Sequence, residues 1–334
     1  MNERIGQALS FFDIDIQSIE NLNSKSAYKL SDAANTHYFL KIYGKDNDYD
    51  IIPGERVYHT YEQLELESEI LLLLSDSTTK TAMPFRNKNR ELVTSLSPDA
   101  DGVPVFAMIT SFVDGLVSGQ TDVPTVEMAY IAGESAARLH LESKKRLLPL
   151  AFKRLHKRQD YIRKIQRRLS HGLKIATLSA AQYEVISQCC ELITDCMNRL
   201  DKDPENNVGL VHTDIRNTNI IYSKNHGTLI DFSRSVYSYY LYDLAEMCLH
   251  GDFGGSNHEL QNAILRGYHS IKPLIKEDIF AIQTLFAMFL LTIMAESVES
   301  KGLENMAKGF TNEFYSKLAA GTAYLDSSAY ENIF

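Results

Sequence analysis

The sequence lacks the marks of a secreted, disulfide-bonded or membrane-spanning chain. Its four cysteines (Cys189, Cys190, Cys196 and Cys248) form no CxxC pair, and no His-rich metal spacing accompanies them. Neither a disulfide framework nor a thiolate metal site is therefore expected. Three of the four fall in one expected helix, where they read as small core residues in a reducing cytoplasm. The opening MNERIGQALSFFDID has no basic n-region followed by an apolar h-region, so no secretory signal is expected. The most apolar run, Ile279 to Ala295, is shorter than the ~20 residues of a membrane span and carries Gln283, Thr284 and Thr292; it reads as a buried helix. Internal repeats and low-complexity stretches are also missing. What is present, 44% hydrophobic and 23% charged residues in 334, suits a soluble globular protein with two ordinary domains.

Charge is unevenly spread. The formal net charge is -9, yet Lys144 to Lys174 holds twelve Lys or Arg residues against the single acid Asp160. Such a run is a solvated helical face, a phosphate-binding surface or a nucleic-acid footprint. Nucleic acid is the weakest of these, because the rest of the chain is acidic and aromatics do not alternate with the bases.

The first forty-odd residues read as β structure: Ile14 to Leu22, Ala27 to Leu30 and Tyr38 to Tyr43 are short strand-like runs between polar turns. Pro53-Gly54 breaks the chain, Arg56 to Leu74 has helical periodicity, and strands are expected at Glu91 to Ser95 and Val105 to Phe112. Asp114-Gly115 marks a linker. Beyond it the pattern is helical at Val126 to Leu141, Leu155 to Leu169, Ala180 to Leu200 and after Asp243, with a β-rich island at Gly209 to Phe232. The expected fold class is α+β: a β-rich N-terminal lobe over 1–113 and a mainly helical C-terminal lobe over 114–334, the outline of a bilobal, protein-kinase-like phosphotransferase.

The chemistry is concentrated in Gly209 to Ser235, GLVHTDIRNTNIIYSKNHGTLIDFSRS. It holds His-x-Asp-x-x-x-x-Asn (His212, Asp214, Asn219), a hairpin-like apolar–turn–apolar pattern, and then Leu229-Ile230-Asp231-Phe232. Phosphoryl transfer needs a carboxylate to orient the attacking hydroxyl and accept its proton, and oxygen ligands to hold Mg²⁺ against the phosphates. Asp214 suits the first role. Asn219 and Asp231 suit the second, since a hairpin between them returns both to one cleft. A second match, His250 to Asn257 (HGDFGGSN), fits HGDxxxxN more literally. The residues after it, HELQNAILRGY, are helical, with no strand leading to a second Asp, and Asp252 lies 33 residues past Asn219 where Asp231 lies only 12. The first match is therefore preferred.

This segment resembles the aminoglycoside phosphotransferase and choline kinase family, relatives of the protein kinases, whose catalytic loop reads HGDxxxxN before a strand ending in Asp-Phe or Asp-Trp. The resemblance implies ATP and Mg²⁺ as cofactors, Asp214 as catalytic base, Asn219 and Asp231 as metal ligands, and His212 as a brace. Asp243, in YDLAEM, resembles the Asp that supports the loop from below. Thr213 replaces the family's usual Gly, which alters the loop's backbone freedom. Arg216 stands where protein kinases place a Lys against the γ-phosphate; a guanidinium there stabilises charge on the transferring group, and otherwise it is a surface Arg.

By the same resemblance Lys41, in HYFLKIYG, is the strand Lys that holds the α- and β-phosphates and pairs with a helix Glu. Leu64, Leu66, Ile70, Leu71, Leu73 and Leu74 occupy one side of the next helix, and Glu67 points into the middle of that arc. A carboxylate there requires a partner, and Lys41 is the natural one. The nucleotide loop, Asn21 to Ser26, offers backbone amides and the hydroxyls of Ser24 and Ser26, but no glycine for close approach. Phe106 to Gly115 resembles the hinge strand, with backbone groups near Ser111 to Val113 holding adenine, and Gly133 to His140 resembles the helix ending in Leu-His. The resemblance runs from about residue 15 to about residue 250.

Together these residues point to an ATP- and Mg-dependent O-phosphotransferase acting on a small-molecule hydroxyl, in the cytoplasm, with no membrane partner. Candidate acceptors are amino alcohols, hydroxy amino acids, sugars and aminoglycosides. A bacterial stress-response Ser/Thr protein kinase, docking an acidic protein on the basic run, is one alternative. A non-catalytic nucleotide-binding scaffold is another, and the joint presence of Lys41, Asp214, Asn219 and Asp231 argues against it.

Overall fold

The computed structural model describes residues 2–22, 26–44, 49–52, 55–57, 59–77, 79, 81–117, 124–249, 253, 255, 257–299 and 301–325. The Pro53-Gly54 break and His250 to Asp252 lie outside them. The fold is α+β and protein-kinase-like. The chain forms two compact units, one made of 1–51, 56–115 and 230–233, the other of 52–55, 116–229 and 234–334.

The first unit is built on a five-stranded antiparallel sheet: β1 (Ile16–Asn21), β2 (Ala27–Asp32), β3 (His37–Tyr43), β6 (Thr94–Leu96) and β7 (Val105–Ser111), ordered β1-β2-β3-β7-β6. Two short strands, β4 (Tyr49–Ile52) and β5 (Glu55–Val57), come after β3. Alternation along β2, β3 and β7 sends Tyr28, Leu30, Leu40, Ile42, Ala107 and Ile109 to one face. A helix, α1 (Asn2–Ser10), covers that face with Ile5 and Ala8, and Phe12 joins them just beyond its end. The β reading of the first forty residues missed α1, although Ile5, Ala8 and Phe12 carry the i, i+3, i+7 spacing of an amphipathic helix.

The second helix, α2 (Tyr61–Ser75), begins later than the expected Arg56, because Thr60 caps it by accepting from the Gln63 N–H while 55–57 pair as β5. Leu64, Leu66, Ile70, Leu71 and Leu74 are buried as the arc requires, whereas Leu73 is 38% exposed. Glu67 is buried too, at 3% exposure. Ser68 Oγ reaches Met108 Sδ (3.4 Å), and Met108 is the cross-strand neighbour of Lys41, so α2 packs beside the strand pair that carries Lys41.

The second unit opens with β8 (Leu116–Val117) and α3 (Val126–Glu142), which runs through a π-turn stretch (Ser143–Leu147) into α4 (Leu148–Ala151). Then come α5 (Gln159–Lys174), α6 (Ala180–Leu200) and α7 (Pro204–Asn207), and the β-rich island: β9 (Val208–Val211), β10 (Ile220–Ser223), β11 (His226–Leu229) and β12 (Val236–Tyr239). Antiparallel pairs β10–β11 and β9–β12 hold the intervening loops in place. The remaining helices are α8 (Leu241–Leu249), α9 (His258–Ile271), α10 (Lys276–Glu296), α11 (Lys301–Ala307) and α12 (Asn312–Ala319). Residues 155–157, expected as the start of a helix, instead run extended beside β12: Leu155 O accepts from Tyr237 N, and Lys157 N donates to Tyr237 O. The backbone pairing outweighs the helical periodicity there, and Arg158 caps α5 from an extended conformation.

The apolar α10 has the length and hydropathy of a membrane span, yet 72% of its most apolar window is buried within the protein, which makes it a core helix. Cys189, Cys190, Cys196 and Cys248 are all free and buried. A close helix crossing joins α3 to α9. A Cβ on Gly133 would stand 2.1 Å from Ile264 O, and one on Gly267 would stand 2.0 Å from Tyr130 O, so each helix presents its glycine to the other's backbone.

Candidate active site

The loop between β9 and β10 carries Asp214, Arg216 and Asn219, and it is fastened from beneath. Asp243, on the first turn of α8 and 1% exposed, accepts from His212 N (2.9 Å) through Oδ2 and from Thr213 N (2.7 Å) through Oδ1. His140, near the end of α3, places Nε2 2.9 Å from Asp243 Oδ2 and Nδ1 2.9 Å from the Tyr268 hydroxyl of α9. Because the carboxylate can only accept, Nε2–H donates to it and Nδ1 accepts from Tyr268. Burial drives the His140 pKa below its ordinary value, against the pull of Asp243, and so favours this neutral form. At Asp243, burial pushes the other way, but the hydrogen bond and charge of His140 and the loop amides hold the carboxyl below the usual range.

Above this support, Thr213 takes a left-handed conformation (φ 57°) and donates its hydroxyl to Arg234 O (2.7 Å). Asp214, which follows this turn, is half-buried. Asp214 Oδ2 accepts from Asn219 Nδ2 (2.9 Å), and Arg216 Nε stands 3.4 Å from Oδ1. Asn217 is buried and its Oδ1 accepts from the Tyr222 hydroxyl (3.0 Å), which ties the loop to β10. Asp214, Arg216 and Asn219 are thus brought together on one loop.

In the other unit, Lys41 Nζ lies 3.1 Å from Asp231 Oδ2, and Ser233 Oγ donates to Asp231 Oδ1 (2.7 Å). Asp231 also sits at positive φ (63°), with the next residue, Phe232, fully buried. Ser26 lies at the head of β2, where its carbonyl accepts from Ile42 N (2.8 Å), one residue from Lys41. Ser24 lies outside the described residues. At the hinge strand, Ser111 is already engaged: its N–H donates to Met83 O (2.8 Å) and its hydroxyl accepts from Met83 N (2.9 Å). Val113 is half-buried, with no such engagement of its backbone groups among the described residues.

The rival HGDxxxxN segment has its Asn in a different employment. Asn257 caps α9, accepting from Glu259 N (3.1 Å) and Leu260 N (3.3 Å). The basic run is mostly a solvated helical face with local partners: Arg163 with Asp160, Arg168 with Glu299 (3.1 Å), and Arg146 with Glu142 (2.9 Å). Arg154 and Lys157 are the two of the twelve that turn inward. Sequence reasoning missed the part played by Tyr268 and these inward bases. The spacing of buried residues along α9 gives no sign that its Tyr reaches a histidine 128 residues away, and nothing in the spacing of the run marks the buried members.

A kinase-like fold that carries an Asp and an Asn on one braced loop, and a strand Lys against an Asp-Phe pair, defines a phosphotransferase. The chain belongs to the phosphotransferase enzyme family, whose profile matches residues 15–276. No curated protein sequence matches it. Among solved structures, it is similar to a microcompartment-associated aminopropanol kinase (19% identity, TM-score 0.71, covering 97% of this chain and 99% of that one). It is also similar to the amicoumacin kinase hAmiN, solved with AMP-PNP, Ca²⁺ and Ami (16%, TM-score 0.66, 99% and 96%). A third is a spectinomycin phosphotransferase solved with ADP and spectinomycin (15%, TM-score 0.58, 97% and 98%).

Proposed function

We propose that this phosphotransferase moves the γ-phosphoryl group of ATP to a hydroxyl of a small molecule, with Asp214 as general base. The observation that carries the reading is the presentation of Asp214. Its loop is held by two backbone bonds to Asp243, its Oδ2 is committed to Asn219, and Oδ1 is left to face a substrate hydroxyl beside Arg216. Asp214 orients the acceptor and takes its proton at Oδ1 as the oxygen attacks. Arg216 places a fixed positive charge where the transferring group gathers negative charge.

The nucleotide half of the reading rests on Lys41, Glu67, Ser24, Ser26 and the hinge. Lys41 holds phosphate oxygens, with Glu67 as its supporting carboxylate on α2. Val113 offers its backbone groups to adenine more readily than Ser111, whose N–H and hydroxyl serve Met83. By the family resemblance Asp231 and Asn219 are the residues that would hold Mg²⁺; each brings a hard oxygen of the kind that ion takes, a carboxylate in Asp231 and the amide Oδ1 in Asn219, whose Nδ2 is turned to Asp214. When bound, Mg²⁺ would supply charge neutralisation at the phosphate oxygens. That three structural neighbours act on aminopropanol, amicoumacin and spectinomycin supports a small-molecule acceptor. The free, buried cysteines suit the cytoplasm, where ATP is present.

The test is ADP production from Mg·ATP against amino alcohols, hydroxy amino acids, hydroxy acids, sugars, aminoglycosides and a Ser/Thr protein substrate, with Asp214→Asn in parallel. Acceptor-stimulated turnover that disappears in the variant is expected. Full activity in Asp214→Asn, or no nucleotide binding by the wild type, overturns the proposal.

A further inference from the structure

The sequence motifs of the site end before α9, yet one side chain of that helix reaches the support of the catalytic loop. Tyr268 is fully buried, and its hydroxyl lies 2.9 Å from His140 Nδ1, its one hydrogen-bond partner among the described residues. Burial holds the Tyr268 pKa well above its ordinary value, so the phenol keeps its proton and donates a hydrogen bond to the Nδ1 lone pair. The close crossing of α3 and α9 makes this reach possible. Gly267 precedes Tyr268, and a Cβ on Gly133 would stand 2.9 Å from Tyr268 N, so the two backbones meet beside this tyrosine.

His140 is held at both nitrogens and on one face. Nδ1 accepts from Tyr268, Nε2–H is given to Asp243 Oδ2 (2.9 Å), and the ring stacks on Tyr240 with centroids 4.7 Å apart and planes at 27°. Stacking fixes the plane of the imidazole but lets it turn within that plane. The hydrogen bonds at its two nitrogens stop the turn. Asp243 depends on this, because its two oxygens serve three donors: Thr213 N–H on Oδ1, and both His212 N–H and His140 Nε2–H on Oδ2. A ring that turned would draw Oδ2 away from His212 and tilt Oδ1 off the Thr213 N–H. Thr213 immediately precedes Asp214. Without the phenol, Nδ1 would also be a buried acceptor with no donor.

We propose that Tyr268 is a positioning residue for phosphoryl transfer: through His140 and Asp243 its hydroxyl sets the geometry of the loop that carries Asp214. The inference rests on the proposed transfer from ATP with Asp214 as general base. Fully buried, Tyr268 touches no substrate, and its effect passes along the hydrogen bonds Tyr268–His140, His140–Asp243 and Asp243–Thr213. A tyrosine placed for stability alone would lower Tm when its hydroxyl is lost and leave the kcat of the folded molecule native. A positioning tyrosine loses kcat. The whole relay lies in one compact unit, whereas Lys41 and Asp231 belong to the other, so Mg·ATP affinity is expected to stay near native.

The experiment is Tyr268→Phe, which removes one oxygen and keeps the ring. With an acceptor that turns over in the panel above, kcat is expected to fall about 3- to 10-fold, the scale of one buried hydrogen bond, while KM and Mg·ATP affinity stay within about twofold. Tyr239→Phe controls for the loss of a tyrosine hydroxyl as such: that hydroxyl bonds Asp201 (2.9 Å), and kcat should stay native. Tyr268→4-aminophenylalanine returns a donor to Nδ1 and should recover most of the lost kcat. Added to His140→Gln, Tyr268→Phe should cost nothing further, since it acts through the histidine. Two readings need no turnover. Exchange of the Thr213 amide should quicken by about 3- to 10-fold in Tyr268→Phe, and nitrogen NMR of wild-type His140 should show the proton on Nε2 and a hydrogen-bonded lone pair on Nδ1. Native kcat in Tyr268→Phe, an equal loss in Tyr239→Phe, no recovery with 4-aminophenylalanine, or a loss that multiplies with that of His140→Gln each overturns the inference and leaves the kinase reading intact. So does a proton on Nδ1 in the wild type, or unchanged exchange at Thr213, and these two decide the matter if no acceptor turns over. Failure of the wild type to bind Mg·ATP overturns the kinase reading itself.

Discussion

Asp243→Asn is the sharpest perturbation of the loop support, because it conserves shape while removing one acceptor. In the native loop Asp243 Oδ1 takes the Thr213 N–H and Oδ2 takes both the His212 N–H and His140 Nε2–H. The single amide oxygen of asparagine can replace only one of these carboxylate oxygens. Its NH₂ must then face at least one buried N–H, most directly that of Thr213. Leaving one buried donor unsatisfied costs about 1–3 kcal/mol, and charge-assisted bonds lost to a neutral acceptor add about 1–2 kcal/mol. The expected loss is therefore about 3–4 kcal/mol, a large part of the total stability of an ordinary domain. Because the chain has two compact units, a single denaturation curve need not report on this loop alone. Hydrogen exchange resolved at the His212 and Thr213 amides reads it directly: both should lose about two orders of magnitude in protection, and kcat should fall by a similar factor with Mg·ATP affinity little changed. Native protection at both amides, together with native kcat, would refute the argument that Asp243 sets the loop.

Asp214→Asn should lower kcat by roughly 10²–10⁴-fold and leave Mg·ATP affinity near that of the wild type, whereas Asp231→Ala should weaken Mg·ATP binding as well; calorimetry beside steady-state kinetics separates the two. Glycine-to-alanine exchanges should differ in sign: Gly267→Ala drives a Cβ against Tyr130 O and should cost at least ~3 kcal/mol, while Gly6→Ala in α1 meets nothing within 4 Å and should add about 0.5–1 kcal/mol, both read by urea denaturation. For pH, the native His140 resists the proton that the unfolded chain takes up at about 6.5, so its contribution is full above that pH and is lost progressively as the pH falls below it. Asp243, depressed in the native state, keeps its contribution until the pH falls below the ordinary carboxylate range. Glu246, raised to about 8, works the opposite way between those values, so the difference in Tm against pH between wild type and His140→Gln isolates the histidine, and a flat difference across pH 5–7 would count against its buried neutral form.

What was legible in the sequence was what repeats locally. The β-rich island at 209–232 announced itself by short apolar runs around a turn, and the α2 arc placed Glu67 on the buried face. The spacing of Asp214, Asn219 and Asp231-Phe232 depends only on the length of one loop and one hairpin, so it survives in one dimension. Elements decided by tertiary pairing were misread. Residues 155–157 have helical periodicity, but β12 offers their backbone a ladder, and the helix begins only at Gln159. The contacts at 103 and 128 residues' separation that make His140 a link between Asp243 and Tyr268 leave no spacing to read. Nor does anything in twelve basic residues say which two face inward.

The departure of Thr213 from the family's Gly acquires a physical meaning in this arrangement. A β-branched residue at φ 57° stores about 1–2 kcal/mol of backbone strain, which glycine would not. The same side chain returns a hydrogen bond to Arg234 O, and the same backbone N–H is held by Asp243. A bond of that kind contributes about 0.5–1.5 kcal/mol, so the two effects nearly cancel. Glycine at this position would keep the turn but release this side-chain tie from the Asp214 loop to Arg234. The threonine is thus close to neutral for stability and consequential for geometry: it couples the position of Asp214 to the segment that carries Arg234.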